Sequence, residues 1–168
     1  YFDSESAQTT LIGDSTGVAG LVFADFDLPE ASLILATQME GSGTIVRLVP
    51  ASTSKGVDFM PGSVAAGDLS GNGVDDVIVT DPGSSAIQIL DEFLDPLASV
   101  EGTAFTNRVA SWDVTGDEVD DIVYTEWDSE ACPLDSEAGD CEEGRVVIVP
   151  GGDVDDLTAA ATPLVGEA

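Results

Sequence analysis

Two stretches of the chain carry oxygen donors at a spacing that suits a hard cation. The first runs Gly67-Asp68-Leu69-Ser70-Gly71-Asn72-Gly73-Val74-Asp75-Asp76, with side-chain oxygens at Asp68, Ser70, Asn72 and Asp76. The second, Asp113-Val114-Thr115-Gly116-Asp117-Glu118-Val119-Asp120-Asp121, repeats the order with Asp113, Thr115, Asp117 and Asp121. Oxygens on alternate residues of a short loop can wrap Ca²⁺, which accepts carboxylate, hydroxyl, amide and carbonyl ligands in flexible geometry. Gly71 and Gly73 let the first loop turn tightly. The second loop holds more carboxylates, so by charge it is expected to bind the better. An EF-hand would need a glutamate at the twelfth loop position and a helix on each side. Those positions are Val79 and Tyr124, inside strand-like runs, so that reading is rejected.

The elements that must hold these loops are short and apolar. Val77-Ile78-Val79 follows the first loop and Ile122-Val123-Tyr124 the second, both β-prone. Before them lie Ser63-Val64-Ala65-Ala66 and Arg108-Val109-Ala110-Ser111-Trp112. After them come a turn and another run, Ala86-Ile87-Gln88-Ile89-Leu90 or Arg145-Val146-Val147-Ile148-Val149. Fourth apolar stretches lie at 97–100 and around 160–165. An earlier unit has the same order: Val18 to Ala24, a loop from Asp25 to Ser32, then runs at 33–37 and 44–49. Asp25, Asp68 and Asp113 open the three loops, 43 and 45 residues apart. A period near 45 with four short strands per unit is that of a propeller blade. The expected fold is all-β, with about three propeller-type blades of four antiparallel strands at roughly 14–60, 61–104 and 105–168. No amphipathic helix stands out; residues 153–161 would at most form one short helical turn.

Composition narrows the partners. There are 33 acidic residues against 4 basic ones, a formal net charge of −29, while 43% of the residues are hydrophobic. Such a chain can fold, but self-repulsion opposes compaction unless cations or salt offset it. Such a surface repels nucleic acid and anionic lipid, so neither is an expected partner. No histidine is present, which removes the commonest general base and zinc ligand. No apolar run is long enough to span a membrane, and Tyr1 to Glu5 do not read as a signal peptide. Cys132 and Cys141 sit in one polar loop; they would be free thiols in a cytosolic protein and a loop-closing disulfide in a secreted one.

The pattern resembles the FG-GAP repeat of integrin α-subunit propellers and of many secreted bacterial proteins. Ser63 to Val79 and Val109 to Tyr124 carry the resemblance, which extends over most of residues 18–150. It implies that each loop joins the two innermost strands of a blade and binds Ca²⁺. The implied ligands are Asp68, Ser70, Asn72 and Asp76 with the Val74 carbonyl, and Asp113, Thr115, Asp117 and Asp121 with the Val119 carbonyl. The chain departs from the family in five ways. Ser70 and Thr115 are weaker ligands than usual, and Asn72 stands in place of a carboxylate. Glu118 occupies a glycine position, and the Phe-Gly pair before the first strand is missing. The first unit is degenerate, with Ser32 where the closing aspartate belongs.

The expected role is a secreted or cell-surface calcium-binding protein that binds a partner or assembles, not an enzyme. Asp75 and Asp120 could act as paired catalytic acids, but exposure or a hydrogen bond to loop backbone is the stronger reading. Trp112 and Trp127 could stack on a sugar, but packing is commoner. A subunit of an extracellular filament or multi-chain propeller is the main alternative; part of a secreted hydrolase or lyase is a weaker one. Three units fall short of a ring of about six or seven blades. Further blades, other copies or an open array would have to complete it. The patch Thr9-Thr10-Leu11-Ile12-Gly13 resembles an outer strand without a blade of its own.

Overall fold

The computed structural model describes residues 17–26, 32–39, 42–47, 53–101, 105–127, 144–152 and 162–164. The apolar runs become strands, and no helix occurs among the described residues; none is therefore long and apolar enough to cross a membrane. The strands form three antiparallel sheets of four, each in simple sequential order. Sheet one holds β1 (Gly17–Ala24), β2 (Ser32–Met39), β3 (Ser42–Arg47) and β4 (Thr53–Val57). Sheet two holds β5 (Val64–Gly67), β6 (Asp76–Asp81), β7 (Ala86–Leu90) and β8 (Pro96–Glu101). Sheet three holds β9 (Phe105–Trp112), β10 (Asp121–Trp127), β11 (Gly144–Val149) and β12 (Thr162–Leu164).

The register repeats with the sequence. Ala24 pairs with Ser32, Gly67 with Asp76 and Trp112 with Asp121, so each loop leaves the first strand and enters the second at the same place. Sheet two is the middle layer. Its β6 is buried on both faces, which is why Val77, Ile78 and Val79 form a continuous rather than alternating apolar run. Val77, Val79, Leu90 and Leu94 pack with Ala24, Phe26, Ile34, Ala36 and Ile45 of the first unit. Ile78, Ile87, Ile89 and Val100 face the other way, onto Ile122, Tyr124, Val147 and Val149. The first strands lie side by side: β1 touches β5, and β5 touches β9. The Asp75 amide donates to the Asp25 carbonyl and the Asp120 amide to the Asp68 carbonyl, so the described parts of the loops between first and second strands lie side by side.

Two of the four basic residues secure the junction of sheets one and two. Arg47 is buried with its guanidinium 4.9 Å from the Phe26 ring centroid, and its Nη1 donates to the Glu92 carbonyl at 2.7 Å. Lys55 pairs with Asp95 at 3.0 Å. Lys55 lies on β4, a strand that its sequence Thr-Ser-Lys-Gly-Val does not announce. An edge strand needs backbone pairing to β3 more than an apolar face. The outward faces of the end sheets keep large apolar side chains in water, Leu21 and Phe23 on β1, Trp112 on β9 and Val146 on β11. Trp112 is thus an exposed residue, 73% accessible, and not a core one. The cysteine loop, residues 153–161 and the Thr9–Gly13 patch lie outside the described residues, as does the Trp127 side chain.

Close approach of β5 to β9 depends on Gly67. A Cβ there would collide with the Ser111 side chain and lie 2.6 Å from Asp120 Oδ2. Gly67→Ala is expected to destabilise the protein by about 1–3 kcal/mol through overpacking. Urea denaturation would register it as a lower midpoint at unchanged slope.

Candidate metal centre

Asp68 and Asp113 shape their loops in the same way. Asp68 accepts from the Asn72 amide at 3.0 Å and the Gly73 amide at 2.7 Å, and Asn72 Oδ1 accepts from the Val74 amide at 2.7 Å. Asp113 accepts from Gly116 (2.6 Å), Asp117 (3.2 Å) and Glu118 (3.0 Å), and Asp117 Oδ1 accepts from Val119 at 3.1 Å. Position by position, Asn72 does the work of Asp117 and Gly73 that of Glu118. The turn needs left-handed backbone there. Gly73 has φ 83° and Glu118 has φ 70°, a region that disfavours residues with a Cβ.

The loops differ at the closing residue, which starts the second strand and is buried in all three units. Ser32 is uncharged. Asp121 is solvated by protein. Its Oδ2 accepts from the Val114 and Thr115 amides, each at 2.8 Å, and its Oδ1 from Gly151 at 2.9 Å. Asp76 is only 4% exposed, and its Oδ2 has no hydrogen-bond partner. Ser70 Oγ, in the same loop, is also buried without a partner. Burial pushes the Asp76 carboxyl up to about 7; a hydrogen bond from the Leu69 backbone opposes this, and the nearby charges of Asp68, Glu92 and Asp75 add to it. Carboxylate count ranks the 113–121 loop first, whereas unmet hydrogen-bonding demand ranks the 68–76 loop first.

Among the described residues no three or more histidine, cysteine, aspartate or glutamate side chains gather as a ready metal cluster. Asp113, Asp117 and Asp121 accept from backbone amides, as Asp68 and Asn72 do in the other loop. The 68–76 loop has only two carboxylates in its ligand set, with a hydroxyl, an amide oxygen and a carbonyl. Its donors still fit a hard cation, because two of them, Asp76 Oδ2 and Ser70 Oγ, are buried oxygens lacking a partner. A cation held there by Asp68, Ser70, Asn72, Asp76 and the Val74 carbonyl would supply the missing positive charge. In the first unit Asp27 lies outside the described residues, and Ser32 Oγ is buried and unpartnered but brings no charge.

Asp75 and Asp120 hold loop backbone, as the sequence suggests, but the backbone of the neighbouring loop. The Asp75 amide donates to the Asp25 carbonyl at 2.7 Å, and the Asp25 amide donates to Asp75 Oδ2 at 2.6 Å. The Asp120 amide donates to the Asp68 carbonyl at 3.0 Å, and the Asp68 amide donates to Asp120 Oδ2 at 3.1 Å. Each is a two-bond clamp from one sheet to the sheet before it. Asp75 is raised above the ordinary carboxylate range, chiefly by burial and then by neighbouring acids, against the opposing hydrogen bond from Asp25. Sequence reasoning missed the partners because they lie about 50 positions away. The available signal was the doubled Asp-Asp at 75–76 and 120–121, of which a cation loop would use only the second. Comparison with protein-family models and with curated proteins found no match for this chain.

A carboxyl raised above the ordinary 3.8 binds a proton in the folded state after the unfolded chain has lost it, so stability falls as pH rises. For metal-free protein the Asp76 contribution is therefore lost between about 4 and about 7. Asp76→Asn removes that component, and the difference between the two melting-temperature profiles in chelator isolates it. Replacing Glu118 by Gly relieves left-handed strain and should stabilise by about 1 kcal/mol, measured by the same thermal melts.

Proposed function

We propose that this chain is a calcium-binding repeat module of the FG-GAP type, with β-propeller-like blades, working outside the cell or at its surface in binding or assembly. The observation that carries the metal is the pair of buried, unpartnered oxygens on Asp76 and Ser70. An uncompensated carboxylate in the interior is unfavourable by several kcal/mol, and a bound cation removes that penalty without altering the fold. Calcium fits better than magnesium because the donors are mixed oxygens on a flexible loop, and magnesium demands near-ideal octahedral geometry. A cation in the loop would also relieve repulsion in a chain of net charge −29. Extracellular placement follows from calcium supply, since weak oxygen-loop sites fill where calcium reaches millimolar levels.

The acids at the loop end have structural tasks, shaping turns and clamping sheets, and this supports a fastening role over a catalytic one. The apolar outward faces of sheets one and three favour assembly. They belong to opposite ends of a directional stack, so they are unlike surfaces of the kind that join head to tail. The partner is accordingly another copy, or further blades, completing the stack.

Calcium at a hundredfold excess over its dissociation constant stabilises by about 2.7 kcal/mol. For a chain of this size that is a rise of roughly 5–10 °C in melting temperature. Adding chelator should reverse it, and Asp76→Asn should abolish it while leaving the chelated protein at least as stable. An unchanged melt across calcium and chelator would remove the metal from the reading.

A further inference from the structure

We propose that Asp120 is a positioning residue for the metal ligand Asp68, reaching it from the neighbouring sheet and joining the 68–76 and 113–121 loops into one mechanical unit. The inference rests on the calcium reading of the 68–76 loop. Asp68 would be a ligand through its side chain, but its backbone is held at both ends of the residue by Asp120. The Asp68 amide donates to Asp120 Oδ2 at 3.1 Å, and its carbonyl accepts from the Asp120 amide at 3.0 Å. Two bonds from one residue to the N–H and C=O of another fix that residue's orientation much as strand pairing does. A third bond, from the Gly152 amide to the Leu69 carbonyl at 2.8 Å, holds the next residue from the same sheet.

The chain of consequences runs from Asp120 into the loop. With its backbone fixed, Asp68 directs its carboxylate onto the Asn72 and Gly73 amides and sets the turn that carries the remaining donors. In the other direction, Asp120 lies between Val119 and Asp121, the carbonyl and carboxylate at the closing end of the 113–121 loop. Whatever orders that closing end also orders the hold on Asp68.

The surroundings are cut to admit this contact. Gly67 has no room for a side chain because a Cβ would lie 2.6 Å from Asp120 Oδ2. Gly151 has none because a Cβ would collide with the Asp120 carbonyl and lie 2.6 Å from Val119 Cγ1. The same clamp between Asp75 and Asp25 reaches the degenerate first loop. The device therefore belongs to the packing of the repeat, and at Asp120 it serves a ligand. In the first unit the corresponding residue is Ala31, which has no carboxylate to offer.

Calorimetric calcium titration of the full chain separates this inference from the reading beneath it. Asp76→Asn identifies the binding component that belongs to the 68–76 loop; if it leaves the isotherm unchanged, the calcium reading fails and this proposal with it. Given that component, Asp120→Ala is expected to weaken it about tenfold or more, as loss of a ligand-orienting partner does. Asp120→Asn keeps an acceptor for the Asp68 amide without the charge, and should stay within about threefold of the parent, well short of that loss. Equal weakening in Asp120→Ala and Asp120→Asn would mean that only charge matters and would overturn the proposal, as would an unchanged Asp120→Ala. Should Asp120→Ala fail to fold, Asp120→Ser, whose hydroxyl is too short to span the gap, takes its place in the comparison with the same two outcomes.

Discussion

A polar side chain buried at the first residue of each second strand is the constraint around which the loops are arranged. The antiparallel register puts Ser32, Asp76 and Asp121 at equivalent places opposite Ala24, Gly67 and Trp112. Each unit meets the constraint differently. Ser32 avoids the charge. Asp121 keeps it and surrounds it with amides from Val114, Thr115 and Gly151. Asp76 brings a carboxyl group and leaves one of its oxygens unmet. A native fold leaves few buried polar atoms without partners, so such an atom points to a group that completes it. The three units thus show one backbone solution with three electrostatic ones, and among the described residues only the middle unit leaves a buried carboxyl oxygen unpartnered.

The same loops carry the contacts that bind sheet to sheet. Apolar packing on both faces of sheet two supplies the bulk of the cohesion, but it is non-directional. The clamps from Asp75 to Asp25 and from Asp120 to Asp68 add direction, since each ties a defined loop residue to a defined predecessor. Acidic residues that a composition count assigns to surface repulsion are in part the fasteners of the stack. Repulsion remains, and the shifts at Asp75 and Asp76 register it, with neighbouring carboxylates adding to the effect of burial. Carboxylate repulsion and sheet stacking are in this way parts of one problem.

Much of this was legible in the sequence. The β-branched runs after Asp76 and Asp121, the Asp/Gly loops before them and the 43- and 45-residue spacing announce an all-β repeat with four strands per unit. Strand β4 was not legible, because in Thr53 to Val57 only Val57 brings an apolar side chain to the core and backbone pairing with β3 defines the rest. The exposure of Trp112 was not legible either, since it depends on what lies beyond β9. At the loops, the oxygen-bearing side chains could be read but their hydrogen-bond satisfaction could not. Whether an aspartate oxygen is free depends on amides such as Gly151, 30 positions away. The clamps were hidden for the same reason, because they join loops about 50 positions apart. Local chemistry fits a single-sequence reading; the balance of partners is a property of the packed sheets.

The most direct measurement is the titration of the Asp76 side-chain carboxyl carbon by NMR, in chelator and in calcium. A buried carboxylate that waits for a cation should titrate near 7 in chelator, and in calcium should move below the ordinary carboxylate range, as bound positive charge favours the ionised form. An Asp76 titration that is the same in calcium and in chelator would contradict the assignment of this oxygen to a metal.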